Sequence, residues 1–205
     1  MEGGMRVPMF IKWPGHIPEG KVQNGIMSGL DFFPTLVAAA GDPNIKEELL
    51  KGKELNGRTY KVHLDGYNQL PMLTEGKPSN RHEVFYFAEG TLGAVRIDDY
   101  KFRLTDQPNG WVGGTVHLDI PILTNLRLDP FERMEFPQGV NGSWEYGSEF
   151  LIHEFWRFVF LQQEVGKYAQ TFLEFPPMQK GASFNLEALK AELAARVAAM
   201  KKGME

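Results

Sequence analysis

The chain has 205 residues, of which 42% are hydrophobic and 23% are charged, a composition typical of a folded protein of one domain, with or without a subdomain. The net charge of −4 comes without a long basic run, so the concentrated positive surface that nucleic-acid binding requires is not seen. No stretch approaches the apolar length of a membrane span, and the lack of cysteine excludes disulfides, thiolate metal sites and cysteine nucleophiles in this chain.

The first predicted elements are a strand and a helix. A short apolar run over residues 7–13, followed by Pro-Gly, predicts a buried strand. After the turn-rich residues 16–25, a helix is predicted for residues 31–40, because Asp31 can cap its first turn and Pro34 is tolerated there. A glycine directly after this segment ends the helix.

Four short β-rich runs in the middle of the chain predict an antiparallel sheet within residues 84–129. The Asp98-Asp99 pair between the second and third runs suits a tight two-residue connection. The runs are residues 84–90, 91–97, 100–105 and 123–129.

Two helices are predicted in the last third of the chain. The first covers about residues 149–173, is rich in aromatic side chains on more than one face, and ends at Pro176-Pro177. The second covers residues 185–202, where leucine, valine and methionine side chains form one apolar stripe. Helices that follow a run of short strands indicate an α+β fold.

The residues that usually carry catalysis form no recognised motif. The five histidines do not pair at the spacing that places two imidazoles on one helix face, and no Walker loop, dinucleotide-binding glycine pattern or G-x-S-x-G motif occurs. Asp98-Asp99 favours a turn over a metal site, because neighbouring strand residues point to opposite faces. The aromatic cluster within residues 150–172 favours core packing over an aromatic-ligand pocket. Composition and spacing therefore indicate an α+β domain without a visible active site.

Several ordered segments resemble the sulfatases. The segment E-G-G-M-R-V-P at residues 2–8, the W-P-G that ends the predicted strand, and D-F-F-P-T-L at residues 31–36 match family patterns. Further similar segments are L-D-G-Y-N-Q-L-P-M-L at 64–73, A-V-R-I-D-D-Y-K at 94–101 and L-T-N-L-R-L-D-P-F-E-R at 123–133. The region of residues 154–187 resembles one bacterial arylsulfatase branch. This family belongs to the alkaline phosphatase superfamily.

The resemblance implies a division of the chain. The E-G-G segment lies past the middle of sulfatase chains, so residues 1–45 would be the tail end of a catalytic α/β domain, and residues 46–205 the C-terminal subdomain. The expected fold is therefore α+β: a small four-stranded antiparallel sheet packed with a long C-terminal helix pair, preceded by one strand and one helix left over from the large α/β core. The formylglycine nucleophile and Ca²⁺ would belong to a missing N-terminal domain, with no cofactor or metal site in this chain.

The resemblance also implies a function and a set of site residues. The full enzyme would hydrolyse sulfate esters, whereas this chain would have no catalytic residues and be inactive alone. Glu2, Gly3, Gly4 and Arg6 would border the substrate cleft, and His117 is a further candidate cleft residue. A structural alternative for Arg6 is an ion pair with a carboxylate of the large domain.

Partners and alternative functions follow from the same reading. A strand severed from its sheet exposes unpaired backbone groups, so we expect association with the missing catalytic domain or with a second copy. One alternative is a non-catalytic binding or scaffolding module derived from a sulfatase. Another is part of a related phosphatase or phosphonate hydrolase. A periplasmic or secreted location is expected only if the parent protein carries a signal peptide.

Overall fold

The computed structural model describes residues 2–88, 90–110, 112–133 and 150–176. In these ranges the helices are α1 (Phe32–Ala39), α2 (Ile45–Lys51), α3 (Leu70–Glu75) and α4 (Phe158–Glu174). The strands are β1 (Lys53–Leu55), β2 (Arg58–Tyr60), β3 (Glu83–Ala88), β4 (Thr91–Ile97), β5 (Tyr100–Asp106) and β6 (Val116–Asn125). No helix in this part of the chain is long and apolar enough to cross a membrane.

The predicted four-stranded antiparallel sheet is confirmed, with the strand order β3-β4-β5-β6. Ile97 lies opposite Tyr100, so Asp98 and Asp99 form the predicted two-residue turn between β4 and β5. Asp98 has a φ of 50°, the left-handed conformation that tight hairpin turns require and that aspartate tolerates better than most residues. β1 and β2 form a separate two-stranded hairpin.

The position of the fourth strand was predicted wrongly. It covers Val116–Asn125 rather than residues 123–129. The chain turns away after Asn125, whose side chain accepts hydrogen bonds from the backbone N–H groups of Arg127 and Leu128. These local bonds satisfy the backbone of residues 127 and 128 in a turn, so the strand does not continue.

One face of the sheet carries the apolar core. Val95, Phe102 and Leu123 are buried from three adjacent strands and pack with Leu161 of α4. Phe102 meets Phe158 edge to face at 5.5 Å, an arrangement that aromatic rings favour. The helix therefore lies across this face and covers it.

The helix predictions have mixed outcomes. The helix predicted for residues 31–40 is confirmed as α1. The cap differs, because Ser28 caps a preceding 3₁₀ turn, while the Asp31 side chain contacts other parts of the chain. The helix predicted over about 149–173 is present but interrupted, with a 3₁₀ turn at Phe155–Arg157 before α4. The helix predicted for residues 185–202 lies outside the described residues.

The strand predicted over residues 7–13 does not form. The backbone of this segment forms no strand, and its side chains are largely exposed, with Phe10 93% exposed. A strand needs a neighbour that takes its backbone hydrogen bonds, and no strand in the described part of the chain pairs with this segment. The apolar run is therefore irregular here.

A buried ion pair joins α1 to the segment before the sheet. Asp31 is fully buried and accepts hydrogen bonds from Arg81, with Nη2 at 2.6 Å from Oδ1 and Nε at 2.9 Å from Oδ2. The backbone N–H groups of Ser28 and Tyr67 also donate to this carboxylate. Burial raises the pKa of Asp31, but the hydrogen bonds from Arg81 and these backbone groups outweigh it, so the pKa is lowered from 3.8.

Replacement of Asp31 by asparagine tests this pair. Asp31→Asn keeps the side-chain shape but leaves the Arg81 cation buried without its counter-charge. We expect the free energy of unfolding to fall by about 3–5 kcal/mol, measured by urea denaturation at neutral pH. The matched control is Asp98→Asn, since Asp98 pairs with His82 in an exposed position, and its loss should stay below about 1 kcal/mol.

The same variant should change the pH dependence of stability. Because the pKa of Asp31 in the folded state is below its unfolded value, the contribution is fully present above about pH 3.8 and is lost as the pH falls through the folded-state pKa. Asp31→Asn should therefore lose less stability than the wild type on acidification. Equal losses for the Asp31 and Asp98 variants at neutral pH would contradict the assignment.

Candidate functional site

The candidate site starts from a buried carboxylate at the beginning of the chain. Glu2 lies in a 3₁₀ turn, Glu2–Gly4, and is 2% exposed. Its carboxylate accepts hydrogen bonds from Tyr86 Oη at 3.0 Å and Arg96 Nη1 at 3.0 Å, and Lys101 Nζ lies 3.3 Å away. These three partners come from β3, β4 and β5, so the turn is bound to the sheet.

The register of the sheet explains why these partners meet. Arg96 and Lys101 lie directly opposite each other across the β4–β5 turn, and Tyr86 lies opposite Ala94. Alternate residues of a strand share one face, so Tyr86, Arg96 and Lys101 lie on the face opposite Phe102. The apolar core and this polar group are therefore separated by the sheet itself.

A second buried carboxylate completes the group. Glu132 Oε1 accepts a hydrogen bond from Lys101 Nζ at 2.6 Å, so this ammonium bridges two carboxylates. We call Glu2, Tyr86, Arg96, Lys101 and Glu132 the Glu2 cluster. Its two carboxylates face two cations, so the cluster carries no net charge.

The protonation states of Glu2 and Tyr86 are fixed near neutral pH. Burial raises the pKa of Glu2, but the hydrogen bond from Tyr86 and the charges of Lys101 and Arg96 outweigh it and lower the pKa from 4.5. Burial, together with the nearby Glu2 charge, raises the pKa of Tyr86. Glu2 therefore stays ionised and Tyr86 stays neutral, and neither is poised to exchange a proton near pH 7.

The other predicted site residues are not all brought together. Gly3 and Gly4 follow Glu2 in the same turn and are exposed, with open space where a Cβ would lie. Arg6 is half exposed, with its Nε 3.6 Å from Glu2 Oε1, so the carboxylate it meets belongs to this chain. His117 lies on β6, opposite Thr105, about 13 Å along the strand from Lys101. The structure groups Glu2 with Arg6 and leaves His117 apart.

A cavity of about 600 Å³ borders the Glu2 cluster. Arg6, Arg96 and Arg127 line it together with the segment of residues 23–29. Arg127 is mostly exposed and its Nε lies 3.0 Å from Asp99. Glu2 and Asp99 line the same cavity, so each of its three guanidinium groups lies beside a carboxylate.

Metal binding is not assigned to this site. Within the residues that the structure describes, no three histidine, aspartate or glutamate side chains are grouped so that they could hold a metal ion. The carboxylates of Glu2 and Glu132 are already engaged by Lys101. These residues therefore do not fit a calcium ion.

The sequence reading missed the partners of Glu2. Arg96 and Lys101 lie two residues before and two residues after the Asp98-Asp99 turn, a symmetric placement that makes them cross-strand neighbours. That signal was available once the turn had been predicted. The contacts of Tyr86 and Glu132 depend on long-range packing that local spacing does not show.

Replacement of Glu2 by glutamine tests whether the Glu2 cluster stabilises the fold. Glu2→Gln removes the charge that faces Arg96 and Lys101, and we expect a loss of about 1.5–3 kcal/mol in the free energy of unfolding. The control is Glu75→Gln, because Glu75 pairs with Lys77 on the surface and should contribute less than about 1 kcal/mol. The measurement is urea denaturation of both variants beside the wild type.

Acidification gives a second readout of the Glu2 replacement. Since the folded-state pKa of Glu2 is lowered, its contribution is present above about pH 4.5 and disappears as the pH falls through the folded-state value. The stability difference between the wild type and Glu2→Gln should therefore shrink at low pH. A difference that stays constant across this range would contradict the role of the Glu2 charge.

Comparison with known proteins identifies the family. The family model described as Sulfatase matches residues 1–42. N-acetylgalactosamine-6-sulfatase from Mus musculus is 30% identical over 152 residues, which cover 64% of this chain and 26% of that protein. Arylsulfatase G from Mus musculus is 32% identical over 142 residues, which cover 67% of this chain and 26% of that protein.

A solved structure shows the same fold. The PsFucS1 sulfatase from Pseudoalteromonas sp. superposes with a TM-score of 0.59 at 21% identity, covering 82% of this chain and 30% of that chain. The chain thus spans about a quarter of the length of the curated relatives it matches. The predicted resemblance is confirmed, whereas the bacterial branch stays a prediction. The chain belongs to the sulfatase family.

Proposed function

We propose that this chain is the C-terminal part of an arylsulfatase that hydrolyses sulfate esters, and that it is inactive by itself. The observation that carries the proposal is the Glu2 cluster, in which every charged group already faces an opposite charge. Groups neutralised in this way hold the E-G-G turn in place instead of attacking a substrate. The chain would therefore supply structure to the substrate cleft.

The anchored turn gives the cleft residues their position in this proposal. With Glu2 fixed on the sheet, Arg6 lines the 600 Å³ cavity, and Gly3 and Gly4 belong to the exposed turn that precedes it. Arg6 follows this turn, and about half of its side chain is exposed to solvent. Formylglycine and Ca²⁺ would belong to a catalytic portion outside these 205 residues.

The exposed apolar residues near the start of the chain support a large partner surface. Phe10 and Val7 are almost fully exposed in the irregular segment, and Phe33 and Leu36 of α1 are more than half exposed. All four lie within the residues that match the sulfatase family. We propose that these four side chains form an apolar face that packs against the catalytic portion or, when the chain is alone, against a second copy.

An activity assay tests the catalytic part of the proposal. Purified chain 1–205 is incubated with 4-nitrophenyl sulfate, with and without added Ca²⁺, and nitrophenol release is followed by absorbance. We expect no release above a heat-denatured sample. In the described part of the chain no nucleophile is identified, and no group of side chains could hold a metal ion. A full-length arylsulfatase in the same buffer is the positive control, and sustained turnover by chain 1–205 would overturn the proposal.

A charge placed on the apolar face tests the proposed packing. The wild-type chain should elute from a sizing column above its monomer mass of 23.2 kDa, in a concentration-dependent way. Phe10→Asp should shift it towards the monomer, because a carboxylate in an apolar interface must be desolvated. The control Val112→Asp changes a fully exposed valine outside this face and should elute like the wild type. A wild-type monomer at every concentration would contradict self-association.

A further inference from the structure

A second cavity lies on the opposite face of β3 from the Glu2 cluster. Tyr86 points to the cluster, whereas its neighbours Phe85 and Phe87 line the second cavity, as the alternation of a strand requires. The cavity has a volume of about 380 Å³, within the usual range of small-molecule sites. It lies between α2, the segment before α3, β3 and α4, and we call it the β3–α4 cavity.

Aromatic rings form one side of the β3–α4 cavity. Phe85 and Tyr168 stack at 4.1 Å, and Phe87 leans towards Tyr168 with a centroid distance of 5.9 Å. Phe87 keeps 39% of its surface exposed, so part of its ring is available to a bound molecule. The negative face of an aromatic ring attracts the positive C–H edge of a saturated ring.

The opposite side of the β3–α4 cavity carries hydrogen-bonding groups from α2 and the segment before α3. Lys46 Nζ donates to the Gly66 carbonyl oxygen at 3.0 Å and lies 4.2 Å from the centre of the Tyr67 ring. An ammonium has three N–H donors, so Lys46 retains hydrogen-bonding capacity beside its bond to the Gly66 carbonyl oxygen. His63 and Asp65, 3.3 Å apart, supply a further donor and acceptor.

The charges around the β3–α4 cavity cancel. The lining cations are Lys46, Arg81 and Lys167, and the lining anions are Asp65, Glu83 and Glu164. Arg81 is held by Asp31, and Lys167 by Glu164 at 2.6 Å. A sulfate or carboxylate therefore meets as many negative as positive side chains and gains no net attraction. An uncharged ligand with many hydroxyl groups can use donors and acceptors of both signs.

From these observations we propose that the β3–α4 cavity binds an uncharged pyranose sugar ring. One face of the sugar packs on Phe87, and its hydroxyl groups accept from Lys46 and donate to Asp65. The site is independent of sulfate ester hydrolysis, since its aromatic side, Phe85 and Phe87, lies on the face of β3 opposite Tyr86 of the Glu2 cluster, and it needs no catalytic portion. Its failure would therefore leave the proposed function untouched.

Direct binding measurements on the full chain test this site. Methyl β-D-galactopyranoside and methyl β-D-glucopyranoside are the probes, and sorbitol is the open-chain control with similar hydroxyl groups. Binding is followed by saturation-transfer NMR and titration calorimetry. We expect saturable binding of at least one glycoside and none of sorbitol, and galactose 6-sulfate should bind no more tightly than the neutral glycosides.

Variants locate the binding in the β3–α4 cavity. Lys46→Met and Phe87→Ala should each weaken glycoside binding by about tenfold, the effect of one charge-assisted hydrogen bond or one ring contact. Lys51→Met removes a lysine of the same helix outside the cavity, and Phe131→Ala removes an exposed phenylalanine outside both the cavity and the apolar face. Both controls should bind like the wild type. Circular dichroism confirms folding, and Phe87→Ala alone decides the test if Lys46→Met does not fold.

Several results would overturn the sugar site. They are the absence of saturable glycoside binding, equal binding of sorbitol, and equal losses in the cavity variants and their controls. Much tighter binding of galactose 6-sulfate would also overturn it, because it would show recognition by charge. Each of these outcomes is read from binding alone, so none depends on whether the chain hydrolyses sulfate esters.

Discussion

The structure depends on two carboxylates that must stay ionised while they are buried. Glu2 and Asp31 come from the first part of the chain, and their partners Arg96, Lys101 and Arg81 come from the sheet or the segment that leads into it. A buried charge without a counter-charge is costly, so each carboxylate holds its cation in one position. The two ion-pair groups thus fix where the family-matched segment lies on the rest of the chain.

The sheet separates two kinds of chemistry because its residues alternate. On one face Val95 and Phe102 pack with α4 and the aromatic residues of β3, and on the other face Arg96 and Lys101 meet the buried carboxylates. β3 contributes Tyr86 to the polar face and Phe87 to the aromatic one. A one-residue slip of this strand would exchange the two faces, so the ion pairs and the core specify the same register.

The features of the fold that the sequence predicts correctly are those that local residue chemistry determines. The four-stranded sheet and its Asp98-Asp99 turn were readable from alternation and turn chemistry. The start of β6 was missed because Pro121 interrupts the pattern, yet proline is tolerated there since β6 is the last strand in the order of this sheet. The strand expected over residues 7–13 requires a partner strand, and the contacts of Glu2 span more than eighty residues, so neither is set by local sequence.

In the segment that matches the sulfatase family, two acidic side chains are buried, whereas several apolar side chains are exposed. Glu2 and Asp31 are satisfied inside the chain, while Phe10 and Leu36 face outwards. What the segment lacks is therefore apolar burial, and covering one phenylalanine contributes about 1.5–3 kcal/mol. Association costs about 4–15 kcal/mol in lost freedom, so several such residues must be covered together before a partner is held. If the catalytic portion is joined covalently, most of that cost disappears. A face that is weak between separate chains then suffices within one polypeptide.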